Sequence, residues 1–351
     1  MEGLPQELML FSLPVVQSAV QRTYFVDCRP VSQISGSGPI EFHLPNQTGD
    51  YLSLQKSVLY VKVRLLKADG TSLVDDESVG FINMPLQTLW SQVDVSLQGR
   101  QLTGNSGNYA YKAYLQTLLN FGISTKKGQL TSQLYFQDTP NAMDDADPDG
   151  QNSGLFERNA FTKNSKSVDM IGPLLEDLCR LDRYILNGVD VDIKLYRNNA
   201  AFSVMSAEST PDYKIELQEV LFRACRVQVN PGVIVGHNKA LELTPAKYPY
   251  IRTDVKSASI PVGQTSFIWD NIYQSKVPRK LVFGLVSTDA YTGAYDKNPF
   301  NFQPFDASSV AVYLDNVSVP ARPHKLELSD TTGECYVTAF RSLTRSQTNP
   351  I

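Results

Sequence analysis

From Thr23 almost to the end of the sequence, one strand-length run follows another, each stopped by Gly, Pro, Asn or Asp. TYFVDCRPV (Thr23 to Val31) ends at a proline region, and IEFHLP places apolar residues at Ile40, Phe42 and Leu44. SVLYVKVRLLKADG carries an apolar run from Val58 to Leu66 and closes on the turn residues Ala68-Asp69-Gly70, after which TSLV resumes. β-branched and aromatic residues in such runs fit a pleated, half-buried surface. VDVDIKLYRN follows Asn187-Gly188, a two-residue signal that predicts a hairpin with the preceding YIL. YKIELQEVLFRACRVQVN, SASIPVG, RKLVFGLVS, SSVAVYL and CYVTAFRSL continue the pattern, giving at least ten strands over 351 residues. Regular alternation of strands with helices, which a parallel sheet needs, is missing. The chain is therefore all-β, with antiparallel sheets.

Two helical segments interrupt the strands. NSGNYAYKAYLQTLLNFG offers Asn and Ser as N-caps, Gly122 as a C-cap, and an apolar face of Tyr111, Tyr114, Leu115, Leu118 and Leu119. PGVIVGHNKALELT (Pro231 to Thr244) opens with proline at a position that suits a helix start. The longest polar interval, Asp138 to Gly154, reads as an exposed insertion between strands. A second break, SAESTPD (Ser206 to Asp212), separates one strand-rich block from the next and sets the expected domain boundary. Across that boundary a pattern repeats. Ser91-Gln-Val-Asp-Val-Ser-Leu97 and Ser308-Ser-Val-Ala-Val-Tyr-Leu314 both fit Ser-x-Val-x-Val-x-Leu, and both run into turn residues, Gln98-Gly99 and Asp315-Asn316. The offset is 308 − 91 = 217 positions.

Composition narrows the functions such a chain can carry. It is 42% hydrophobic and 19% charged, which suits a folded protein rather than a disordered one. The net charge of −4, with no basic tail, argues against direct and extensive phosphate contact. If the protein encloses nucleic acid, it does so without gripping it. Cys28, Cys179, Cys225 and Cys335 lie far apart in no paired motif and read as buried free thiols. The N-terminal MEGLPQELMLFSLPVVQSAV lacks a basic leader, and its apolar run from Leu8 to Val16 is too short to span a bilayer. A cytosolic or nuclear protein, without a secretory route, is the expectation.

His43, His237 and His324 stand apart from one another and from any Cys pair, and there is no HExxH, CxxC or G-x-S-x-G. The expectation is no enzyme, no catalytic residue and no cofactor. The sharpest motif is Asp145-x-Asp147-x-Asp149-Gly150, whose alternate carboxylates suit a hard cation such as calcium. The twelfth position of an EF-hand loop would be Phe156 rather than Glu, and Pro148 sits where the loop must curl. A solvated acidic loop is the first reading and an opportunistic calcium site the second. Aromatic residues in polar surroundings, as in DAYTGAYDKNPFNFQPF, suggest a contact surface, although cores also consume them.

Seven stretches carry a family resemblance. ELMLFSLPVVQSAV, GPIEFHLPNQTGDYLSLQKSVLYVKVRLLKADG, LWSQVDVSLQGRQL and YAYKAYLQTLLNFG come first in the chain. VDMIGPLLEDLCRLDRYILNGVDVDIKL, AKYPYIRTDVKSASIPVG and KNPFNFQPFDASSVAVYLD follow. In this order they resemble segments of the double jelly-roll major capsid proteins of polinton-like and adintovirus-like double-stranded DNA viruses, from about Glu7 to Phe340. The resemblance implies an N-terminal arm (1–22), a first jelly roll (23–205) and a second (206–351), standing side by side. It implies homotrimers with 3 × 2 = six similar domains, hexon-like tiles of an icosahedral virion shell. The partners would be further copies of the chain and penton or minor capsid proteins, without sequence-specific nucleic-acid binding. A penton or minor capsid protein is the alternative within that class, and a carbohydrate-binding β-sandwich the alternative outside it. On this reading the Ser91 and Ser308 segments are equivalent strands of two jelly rolls.

Overall fold

The computed structural model describes residues 17–34, 38–45, 49–75, 77–104, 106–273, 277–319, 323–326 and 342–343. Eight strands between Val20 and Val229 make two four-stranded antiparallel sheets. One contains, in spatial order, β1 (Val20–Cys28), β8 (Tyr213–Val229), β3 (Tyr51–Lys67) and β6 (Val168–Gly172). The other contains β2 (Ile40–Leu44), β7 (Val191–Arg197), β4 (Trp90–Leu97) and β5 (Arg100–Gln101). The pairs β1–β8, β2–β7, β3–β6 and β4–β5 are all formed. In each, the strand numbers sum to nine, the pairing that results when one long hairpin is wound around a core. This is a complete jelly roll.

The alternation in the sequence explains which faces meet. Leu59, Val61, Val63 and Leu65 of β3 are buried, whereas Tyr60, Lys62 and Arg64 between them are only partly covered. Ile40, Phe42 and Leu44 of β2 face Val191, Ile193 and Leu195 of β7 in register, and all six are buried. The sheets close on one another at Phe42 and Phe222, with ring centroids 6.1 Å apart. Each such side chain contributes about 1.5–3 kcal/mol on burial, so the period-two pattern fixes the register. A charge at Ile193, on a strand paired on both sides, would break it.

Three expectations need correction. The strand that follows the SAESTPD break, β8, pairs with β1 and β3 in the middle of the first sheet, so the first jelly roll runs to Val229. A polar break marks a turn as readily as a domain boundary, and only the non-local partner distinguishes the two. Asn187-Gly188 does turn the chain, with Gly188 at φ 78°, but YIL and β7 do not pair. Ile185 bridges Leu52 while β7 joins the opposite sheet, so the turn carries the chain between layers. Third, the interval from Asp138 is less exposed than its composition suggests: Asp138 and Asn152 are buried, and α2 (Ser153–Thr162) follows directly.

The insertions after β3, β5 and β7 pack on one another. Helix α1 (Tyr109–Asn120) stops before Gly122, and its first nine residues are buried nearly all round, including Lys112 and Thr117. α2 packs beside a short strand pair, Val79–Phe81 with Val204–Ser206. Beyond β8, α3 (Pro231–Leu243) starts on an Asn230 cap whose side chain accepts from the Gly232 amide, and none of its residues is fully buried.

Downstream of α3 the described residues contain no strand longer than two residues. SASIPVG and RKLVFGLVS form no strand, and strand formers gain stability only when paired. β9 (Ser309–Val310) pairs with β12 (His324–Lys325), and β10 (Tyr313–Leu314) with β11 (Val317–Ser318). Here the sequence repeat returns as a structural one. Leu97 opposes Arg100 and Ser96 opposes Gln101, as Leu314 opposes Val317 and Tyr313 opposes Ser318. The two-residue turns have positive φ throughout: 50° and 72° at Gln98-Gly99, 48° and 66° at Asp315-Asn316. That is the turn whose twist matches a hairpin. The next hydrogen bond also repeats, Leu102 N–H to Val95 C=O at 3.1 Å and Val319 N–H to Val312 C=O at 2.8 Å. All eight positions, 95 to 102 and 312 to 319, keep the offset of 217. Outside the hairpin the two differ, since β4 continues beside β7 and β9 beside β12. Residues 1–16 of the expected arm, Cys335, and the CYVTAFRSL run apart from its last two residues lie outside the described residues.

Candidate assembly surface

The acidic motif folds into a loop that occupies its own carboxylates. Asp145 accepts the Gln151 amide at 2.6 Å and the Asp147 amide at 3.2 Å. Asp147 accepts the Asp149 amide at 3.1 Å and the Ser78 hydroxyl at 3.3 Å. A side chain at Gly150 would collide with the Asp145 carboxylate, so the glycine permits close approach of backbone to carboxylate. The motif thus has a local purpose, the short side-chain-to-backbone bonds that Asp makes in turns. Among the described residues no cluster of three or more His, Cys, Asp or Glu is arranged to hold a metal ion.

Each histidine has a structural setting. His43 Nδ1 lies 2.6 Å from Asp192 Oδ1 across the β2–β7 ladder. His237 on α3 stacks on Tyr51 and lies 2.7 Å from its hydroxyl, tying the helix to β3. His324 sits in β12. The described cysteines are free. Burial pushes the Cys179 thiol up to about 12 and raises those of Cys28 and Cys225, the opposite of what a thiolate nucleophile needs.

Two buried charge clusters escaped the sequence reading. Arg158 of α2 is fully buried and donates to Asp138 Oδ1 at 2.6 Å, to the Phe81 carbonyl at 2.7 Å and to the Phe136 carbonyl at 2.8 Å. Lys112 of α1 lies 2.7 Å from Glu176 and 3.0 Å from Asp177. Desolvation raises the Glu176 carboxyl above its ordinary value, with the Lys112 cation opposing it. Asp177 also accepts the Thr253 amide at 2.7 Å, drawing in a segment from beyond α3. That segment closes a cavity of about 30 Å³ lined by Lys112, Glu176, Tyr250, Arg252 and Asp254 among others. It has room for about one water. A second cavity, about 190 Å³, is lined by Lys67, Glu77, Glu208, Thr210, Asp212 and Tyr213. Both are below the few hundred Å³ typical of small-molecule sites. No signal in the sequence marks Arg158 or Lys112, because a lysine or arginine in a helix reads as solvated unless its partner is known.

What the chain does present is apolar surface. Edge strand β1 carries Phe25 at 57% and Val26 at 39% exposure, on opposite faces of the strand. Beyond α3, Ile251, Ile260, Val262, Ile268, Trp269 and Phe283 are all exposed. Exposed apolar residues in such numbers mark surfaces that become covered. The aromatics of DAYTGAYDKNPFNFQPF behave differently from the contact surface expected of them. Phe300 is 2% exposed and stacks on Tyr114 at 3.9 Å, while Tyr291 stacks on Tyr111 at 5.7 Å. Most of this segment's aromatics pack within the molecule.

Comparisons with known proteins add the following. No protein-family model matches the sequence. The chain is similar to a Caenorhabditis elegans protein, "Uncharacterized protein F54H12.2", at 25% identity over 96% of this chain and 80% of the other. Among solved structures it is similar to a chain of the Sputnik virophage, with 12% identity over 66% of this chain and 53% of that one and a TM-score of 0.43. The Faustovirus major capsid protein gives 12% identity over 68% of this chain and 59% of the other, with a TM-score of 0.42. The mavirus major capsid protein gives 12% identity, 67% and 53% coverage, and a TM-score of 0.35. The chain spans only between half and three fifths of the length of these solved structures.

Proposed function

We propose that the protein is a major capsid protein, a structural component of an icosahedral viral shell rather than an enzyme. The observation that carries this reading is one complete jelly roll followed, 217 residues on, by a second copy of its β4–β5 hairpin with the same register and the same turn. A chain that builds the unit twice can form a ring of six similar domains from three subunits. Closing that ring needs a heterologous interface, in which the first unit of one subunit meets the second unit of its neighbour. The second unit on this reading comprises the residues beyond α3, where exposed apolar side chains await a covering layer. The seven stretches quoted above supply the family resemblance, and the partners are further copies of the chain, then penton and minor capsid proteins. Its location would be the virion. The net charge of −4 fits a shell that encloses nucleic acid without binding it closely.

Light scattering on the purified full chain tests this reading. A mass of three chains, unchanged by a chelator, is the expected result, and a stable monomer would overturn it. Residues 20–22 of the expected arm (1–22) belong to β1, so the arm is shorter than expected; deleting only residues 1–16 should leave the trimer intact and impair shell assembly. Loss of the trimer itself would refute the assignment of that segment as an assembly arm.

A further inference from the structure

Asn298-Pro299-Phe300 is buried although it lies in a polar segment, KNPFNFQ, far along the sequence from the groups that bury it. Asn298 uses all its polar groups in that position. Its amide donates to Asp144 Oδ1 at 2.8 Å, and its Nδ2 to Asp138 Oδ2 at 3.3 Å. Its Oδ1 accepts the Phe300 amide at 2.9 Å, closing a tight turn that Pro299 helps to preset. Phe300 then enters an aromatic socket. Tyr114 stacks on it at 3.9 Å with the planes 4° apart, while Tyr111 and Phe202 meet it edge-on at 5.8 and 6.3 Å. The polar wall of the socket is held in place by Arg158, which binds the other oxygen of Asp138.

The rest of the second half is held differently. Residues 257–269, earlier in the second half, are exposed, and Gly263 turns the chain there with φ 85°. Downstream of that turn, the contacts with the first jelly roll and its insertions cluster between Tyr291 and Phe302. Tyr291 donates to Asn108 at 2.9 Å, and the Tyr295 hydroxyl accepts the Tyr213 amide at 3.3 Å. These flank the Asn-Pro-Phe turn.

We propose that the insertions of the first jelly roll form a peptide-recognition socket for an Asn-Pro-Phe turn, filled in cis by Asn298–Phe300. The turn acts as a clasp that holds the second half of the chain on the first. The socket's chemistry defines its ligand class: a short peptide with a buried Asn that faces two carboxylates and a Phe one residue beyond a proline. This inference does not depend on the capsid reading.

The test cuts the full chain at a protease site placed in the exposed turn at Gly263. The two pieces should still co-elute on gel filtration. In a chain carrying Asn298→Ala and Phe300→Ala, association of the cut pieces should weaken by more than about a hundredfold, as for a central anchor of an interface. Excess synthetic peptide spanning Lys297 to Gln303 should displace the C-terminal piece from the unaltered cut protein, an arm that does not rely on any variant folding. The proposal is overturned if the unaltered pieces separate on cutting, if the variant pieces stay together, or if the peptide displaces nothing.

Discussion

Replacing Arg158 with methionine should destabilise the first jelly roll by about 4 kcal/mol or more. The side chain is fully buried and is the sole cation bonded to the equally buried Asp138 carboxylate among the contacts described. Methionine fills much of the same volume, so the loss is electrostatic rather than a cavity. Removing one partner of a buried pair costs roughly 3–5 kcal/mol, because it leaves the other charge uncompensated. The carbonyls of Phe81 and Phe136 lose their donors as well, at about 1–3 kcal/mol for each that stays dry. Changing Asp138 to leucine in the same chain should restore part of the loss, since replacing both charges by apolar groups is often neutral. Restoration stays incomplete, because Asn298 Nδ2 then loses its acceptor and the two carbonyls remain without the Arg158 donor. Urea unfolding followed by tryptophan emission measures this well, because Trp90 lies fully buried in β4 and reports on the sandwich. A loss below about 1 kcal/mol for Arg158→Met, or a double variant no more stable than the single one, would refute the reasoning.

Two further predictions concern charge. Glu176 has its folded-state pKa raised above the ordinary 4.5, so the folded protein binds its proton more tightly than the unfolded chain does. Its contribution to stability is therefore fully present below about pH 4.5 and is lost as pH rises through the folded-state value. Glu176→Gln should match or exceed the parent at pH 7 and lose that advantage near pH 4; a variant less stable at pH 7 than at pH 4, relative to the parent, would contradict this. Millimolar calcium, or EDTA, should leave the melting temperature unchanged, because Asp145 and Asp147 already hold backbone amides. A saturable rise of several degrees with calcium would restore the metal reading.

What was legible in the sequence was local. Ile40, Phe42 and Leu44, or Val191, Ile193 and Leu195, announce a strand by alternation, and Gln98-Gly99 and Asp315-Asn316 announce their turns. What was not legible was pairing. β8 reads as a strand wherever it sits, but nothing in YKIELQEVLFRACRVQV says that its neighbours are β1 and β3. The polar break before it therefore suggested a new domain. Burial of polar residues was hidden for the same reason. Asp138, Arg158 and Asn298 are far apart in sequence and each looks solvated alone; only the fold brings them within hydrogen-bond reach. The aromatic segment around Phe300 suggests a contact surface because its neighbours in sequence are polar, yet one of them, Asn298, holds the buried turn. The repeat at Ser91 and Ser308 was too short to carry weight as a pattern. It gained meaning once both copies formed the same hairpin.

Electron microscopy of the assembled full chain tests the central claim most directly. The account predicts three-fold tiles in which six similar lobes form a pseudo-hexagon, two from each subunit. Particles with a single lobe per subunit, or no assembly beyond the monomer, would contradict it.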